Sequence, residues 1–178
     1  MTAQFQPNST NLFLTFSRDK LINQYWPRLR SCVEALSDEQ VWWRPNAASN
    51  SIGNLVLHLN GNVRQWLVDS FSKREDQRDR PAEFSAEGSM SGNELLERLA
   101  WTLHEGEQVI NRLSEADLIA RYEIQGYNVY GLEAVYQVVE HFGLHYGQIA
   151  YITKMLQERD LGFYKELNQT GRAKLQEF

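Results

Sequence analysis

The sequence predicts an all-α fold, a four-helix bundle forming a single domain over residues 1–178. Four long stretches carry apolar residues at spacings of three and four, the mark of a helix with one buried stripe. A charged segment between the second and third stretches has too little apolar surface to bury and serves as a long crossover. Period-two alternation is confined to one short stretch before the fourth. The chain has 178 residues, 42% of them hydrophobic, which suffices for a full core and excludes disorder as the main state.

The first helix is predicted from about Asn11 to Leu36, with Leu12, Phe16, Ile22, Trp26, Leu29, Val33 and Leu36 as its stripe. Pro27 lies inside it and removes a backbone donor, so a kink or two abutting segments are expected there. Ser37-Asp38-Glu39-Gln40 offers a capping box for a short helical turn that Arg44-Pro45-Asn46 stops. The second helix begins near Ser51, and its stripe is Ile52, Leu55, Leu59, Val63, Trp66 and Phe71. The charged run from Lys73 to Pro81 then reads as the start of a solvated surface crossover reaching Gly88-Ser89. Helix three follows from about Ser91, with Leu95, Leu99, Thr102, Gly106, Val109 and Leu113 on one side. Between Arg121 and Gly131 the alternation of Tyr122, Ile124, Tyr127 and Val129 about Gln125-Gly126 suits a short hairpin. An isolated hairpin is marginal, so it must pack on helices. Helix four, from about Leu132 to Arg159, carries Val135, Val139, Phe142, Tyr146, Ile149, Ile152 and Leu156. The tail after it reads as loop with a last turn.

Composition narrows the function. Lys+Arg number 18 against 23 Asp+Glu, a net charge of −5, and no Lys/Arg-rich tract is present to meet a phosphate backbone, which argues against nucleic-acid binding. No window approaches the apolar run of about 18 residues that a membrane helix needs. Met1 to Pro7 lacks a basic segment followed by an apolar run, so a cytoplasmic protein is expected. With Cys32 as the sole cysteine, neither an intrachain disulfide nor a Cys-based zinc site can form. Any metal must be held by His, Asp or Glu.

Three of the four histidines fall on striped helices. His141 and His145 are four apart, which stacks them on one helix face with a rise of about 6 Å and lets both rings turn onto one ion. A third ligand must come from another helix, and His58, at the margin of the second stripe, is the candidate. Its helical neighbours are Asn54, Leu55, Gly61 and Asn62, and Gly61 leaves space for something to enter. The matching row on helix four is Gln137, His141, His145 and Gln148. Polar rows on helices that otherwise bury hydrophobes need partners: each other, water or a metal. The competing reading is hydrogen-bonded core histidines, the class to which His104, beside Glu105 and Glu107, is assigned.

Ser51-Ile52-Gly53-Asn54-Leu55-Val56-Leu57-His58-Leu59-Asn60-Gly61-Asn62-Val63-Arg64-Gln65-Trp66, with Glu140-His141-Phe142-Gly143-Leu144-His145-Tyr146-Gly147-Gln148 at a distance, resembles the DinB/YfiT-like superfamily of metal-dependent proteins, and more narrowly an uncharacterised DinB-like branch. The resemblance covers nearly the whole chain. It implies a four-helix bundle, often dimeric, with a divalent ion, commonly zinc or nickel, bound by one His of helix two and an H-x3-H pair of helix four. Those roles pass to His58, His141 and His145. It also implies transferase or isomerase chemistry on small molecules with a low-molecular-weight thiol as co-substrate, ahead of metal-assisted hydrolysis. A non-catalytic module in which the metal only ties helices together is the alternative from another class.

Several residues are set apart from the ligands. Asn54, Asn62, Gln137 and Gln148 are candidates for orienting the histidines, a water or a substrate. Phe142 occupies the position where a metalloprotease His-Glu-x-x-His would place its base. Glu140 lies about 100° round the helix from His141 and is expected as an outer or interhelical partner, for Arg64. Arg64 is read as a structural ion pair, Cys32 as a small buried hydrophobe, and Tyr146 as facing the core. Trp26, Trp42, Trp43, Trp66 and Trp101 are expected as core or self-association contacts, with a homodimer as the outcome.

Overall fold

The structure is a computed structural model that describes residues 8–171. The reading of Met1–Pro7 and the end of the predicted tail, residues 172–178, lie outside the described residues.

The first long helix runs as Ser9–Arg18, a π-helical segment Asp19–Tyr25 and Trp26–Glu34. Pro27 sits in the first turn of the last part, where its missing N–H costs least, and the wider π turns precede it. The expected interruption is therefore present as a π segment. It also changes the phase of the stripe. Leu29 and Val33 are buried as expected, together with Leu14, Leu21 and Cys32, whereas Leu12 and Phe16 face outward, a correction to the expected stripe. A constant period of 3.6 cannot follow a face through turns of more than four residues.

Ser37 and Gln40 form the capping box of a short helix, Asp38–Trp42. The second long helix comprises Ile52–Val63, a π-helical segment Arg64–Asp69 and Ser70–Ser72, and Ser51 caps its start by accepting from the Asn54 N–H. Every residue of its expected stripe through Trp66 is buried. So are Asn54, His58, Asn60 and Asn62, because this helix is covered on more than one side. The third and fourth long helices are Gly92–Arg112 and Gly131–Gln157. Between them lie a short helix, Glu115–Ile119, and strands β1, Arg121–Ile124, and β2, Tyr127–Tyr130. The strands pair antiparallel, with Ile124 opposite Tyr127, and Gln125 and Gly126 both take positive φ as a tight hairpin turn requires. The hairpin packs on the bundle through Tyr122 against Phe71 and Trp66 against Tyr127. The tail closes on a short helix, Lys165–Thr170.

Second and fourth helices run antiparallel. Trp66, late in the second, donates to Gln125 just before the fourth begins, while Gln157, at the end of the fourth, reaches Gln40 of the short helix whose Trp42 packs on Gly53.

The crossover departs from the expectation of a solvated loop. Asp79 caps a helix, Arg80–Ser85, with Pro81 in its first turn. Asn54 Nδ2 donates to the carbonyls of Glu83 and Ala86 at 3.0 and 2.9 Å, Arg44 donates to Phe84 and Ala86, and Trp42 Nε1 donates to Met90. Backbone carbonyls that have left a helix find donors on the bundle, so the segment lies against the second helix instead of in solvent. No described helix is long and apolar enough to cross a membrane.

Candidate metal centre

The antiparallel second and fourth helices bring His58, His141 and His145 together. Each residue offers a ligand-type nitrogen, and those atoms lie within 4.8 Å of one another. The ring centroids of the three are separated by 4.9, 5.0 and 4.4 Å. His58 Nε2 and His141 Nε2 face each other at 2.9 Å. His58 is buried, 3% exposed, whereas His141 and His145 are half-buried.

The outer nitrogens of His58 and His145 are committed. His58 Nδ1 lies 2.8 Å from Glu83 Oε2 and 3.1 Å from Arg78 Nη2; because the carboxylate only accepts, Nδ1 donates to it, which turns Nε2 towards His141. His145 Nδ1 donates to Gln148 Oε1 at 2.8 Å, which leaves its Nε2 free to face inward. Burial pushes the His141 pKa down to about 4, aided by the neighbouring His145, His58 and Arg78. Burial also lowers His145, against the opposing hydrogen bond to Gln148. Both rings are therefore neutral at pH 7, and each keeps one ring nitrogen able to accept a hydrogen bond or hold an ion. Three imidazoles gathered in this way from two facing helices could bind a metal ion.

Glu83 and Arg78 were invisible to the reading of the crossover as solvent-exposed charge. The Arg78 and Glu83 side chains are 5% and 9% exposed. Arg78 grips the carboxylate with two bonds, Nε to Oε1 at 2.7 Å and Nη2 to Oε2 at 2.9 Å, and its Nη1 donates to Gln65 Oε1. Burial raises the Glu83 carboxyl, but hydrogen bonds and charge from His58 and Arg78 outweigh it and leave the pKa lowered. Gly61 makes the room: a Cβ there would overlap the Glu83 carboxylate and approach Arg78 Nε to 2.8 Å. What enters beside Gly61 is this ion pair. The available signal was Asp79-Arg80-Pro81, a helix start that turns Glu83 toward the bundle.

The remaining site candidates divide. Gln148 accepts from His145 Nδ1. Asn54 touches no histidine and instead holds the Glu83 backbone. Asn62 Oδ1 and Gln137 Oε1 are buried and meet no hydrogen-bond donor among the described residues. His104 is exposed and contacts Gln108, so its expected core role is corrected. Arg64 is a structural ion pair, but its partners are Glu105 and Asp69, not Glu140, because Glu105 on the third helix lies nearer to that face. Cys32 is fully buried, and desolvation raises its thiol pKa to about 11. Tyr146 is buried against Tyr25. Trp66 is buried and Trp26 and Trp42 partly so, while Trp101 is exposed.

The fold is shared with a solved protein. The crystal structure of a DinB-like protein from Bacillus cereus ATCC 10987 superposes with a TM-score of 0.61 over 75% of this chain and 86% of that one, at 10% identity. No curated protein matches the chain. The family described as "Protein of unknown function (DUF1572)" matches residues 8–166. A match over that span, with this bundle beneath it, places the chain in the DUF1572 family with a DinB-like fold.

Proposed function

We propose that the protein is a metal-dependent enzyme in which His58, His141 and His145 hold a divalent ion, zinc or nickel. The observation that carries this reading is the convergence of three imidazoles, two of which, His58 and His145, have their outer nitrogens engaged by Glu83 and Gln148. A set of neutral ligands leaves the ion its full double charge, which favours deprotonation of a thiol or a water at neutral pH. Thiol-dependent transfer or isomerisation of a small molecule is the leading reaction class, with metal-assisted hydrolysis second. Half-buried His141 and His145 leave the cluster within reach of a small substrate.

Metal content of protein purified without an affinity tag, compared with a His141→Ala/His145→Ala variant, tests the ligand set. About one ion per chain is expected in the parent and loss of it in the variant; equal content in both overturns the proposal. Activity screens with glutathione, bacillithiol and mycothiol then test the reaction class. Thermal denaturation with and without chelator separates an enzyme from a metal-tied scaffold, since a scaffold unfolds when stripped.

A further inference from the structure

Asn62 Oδ1 and Gln137 Oε1 are the buried side-chain oxygens that meet no donor among the described residues. Asn62 follows His58 by four, and Gln137 precedes His141 by four, so each stands one helical turn from a proposed ligand. Because the two helices run antiparallel, a turn forward on one and a turn back on the other lead to the same side of the histidine cluster. Two acceptors thus flank the centre together. Burying an acceptor without a donor costs about 1–3 kcal/mol, and apolar replacements of the same shape would avoid that cost. Two such groups in adjacent rows, beside three histidines, call for a donor that the described residues do not supply.

We infer that Asn62 and Gln137 form an acceptor pair that receives the hydrogens of a small donor held beside the histidines: water at rest, and a hydroxyl or amine group of the substrate when it is bound. This inference rests on the three-histidine reading and sharpens it. Oxygens oriented in this way favour a group carrying N–H or O–H, so the substrate class is a polar molecule bearing donors. The two amides are positioning residues, since they act through the molecule they hold.

Calorimetric titration of zinc into the metal-free parent, Asn62→Leu and Gln137→Met tests the pair, alongside a crystal structure of the zinc-loaded parent. Losing the molecule that the amides hold beside the histidines is expected to weaken zinc binding, on the scale of about 10–100-fold that outer partners of a metal site set. A loss of about 10-fold is expected in each variant, and in the crystal an ordered molecule within hydrogen-bond distance of both amide oxygens. Gln137 is only partly buried, so Gln137→Met carries the titration if Asn62→Leu does not fold. Zinc affinity unchanged within about twofold, or a crystal in which both oxygens bond protein groups, overturns the pair while the three-histidine reading survives. A parent that binds no zinc overturns both, and is recognised by the absence of any heat in the first titration.

Discussion

Two arginine–carboxylate clusters flank the second helix, and they differ in burial far more than in chemistry. At the histidine end, Arg78 and Glu83 are 5% and 9% exposed and bonded in two places. At the other end, Glu105 receives Arg64 and Arg74, whose side chains are 36% and 52% exposed. Water competes for the arginine ends of the second cluster and for almost none of the first. The lesson is that an ion pair matters here in proportion to what its loss leaves buried. Breaking the inner pair strands a charge next to His58; breaking the outer one returns a charge to solvent.

The largest effect is therefore expected from Glu83→Ala. It leaves the Arg78 guanidinium uncompensated and deprives His58 Nδ1 of its acceptor, a loss of about 3–5 kcal/mol by the behaviour of broken buried pairs. Urea denaturation of the metal-free protein measures it, and zinc affinity should fall as well, because the His58 tautomer is no longer fixed. A Glu83→Ala protein as stable as the parent would make the inner cluster equivalent to the outer one. Gly61→Ala attacks the same pair sterically. The added methyl group overlaps the carboxylate, and about 1–3 kcal/mol is expected from overpacking, read by the same denaturation curves.

Acid should expose the same asymmetry. The unfolded chain takes a proton on His141 as pH falls below 6.5, whereas the folded chain resists until about 4. Folded stability of the metal-free protein therefore declines between those values. Glu83, with its folded pKa lowered, contributes stability that is present above its ordinary value of 4.5 and is lost as pH falls further. The two losses have the same sign and follow in sequence. Melting temperatures measured from pH 8 to pH 4 should fall most steeply below 6.5 in the parent and less so in His141→Ala. A flat profile would show that His141 is not held neutral by its surroundings.

How much of this was legible in the sequence depends on which side chains a period can place. The stripes of the third and fourth helices follow a straight 3.6-residue repeat, and Leu95, Leu99, Val135 and Phe142 are buried where that repeat puts them. His58, His141 and His145 were legible for the same reason, together with the demand that polar groups in a buried row find partners. Leu12 and Phe16 were misplaced because a π segment shifts the phase, and only Pro27 hinted at it. Glu83 and Arg78 were missed because a charge run carries no periodicity; their burial follows from Gly61, whose missing Cβ gains meaning only when a second segment is laid against it. His104 resembled His58 by type and helix, and only the packing separates them.

The smallest effect should come from the centre of the outer cluster. Glu105→Gln removes the charge that Arg64 and Arg74 share but keeps the shape, and Arg64 retains Asp69 at 3.7 Å. Burial raises the Glu105 carboxyl, and the hydrogen bonds and charges of Arg74 and Arg64 more than offset this, so its pKa is lowered as that of Glu83 is. Direction alone would rank the two carboxylates together. Exposure separates them: screened pairs of this kind contribute about 0–1 kcal/mol. Denaturation of Glu105→Gln should show a loss within that range that shrinks further in high salt, with zinc affinity unchanged. A loss as large as that of Glu83→Ala would mean that the π segment Arg64–Asp69, not burial of the inner pair, fixes the second helix against the bundle.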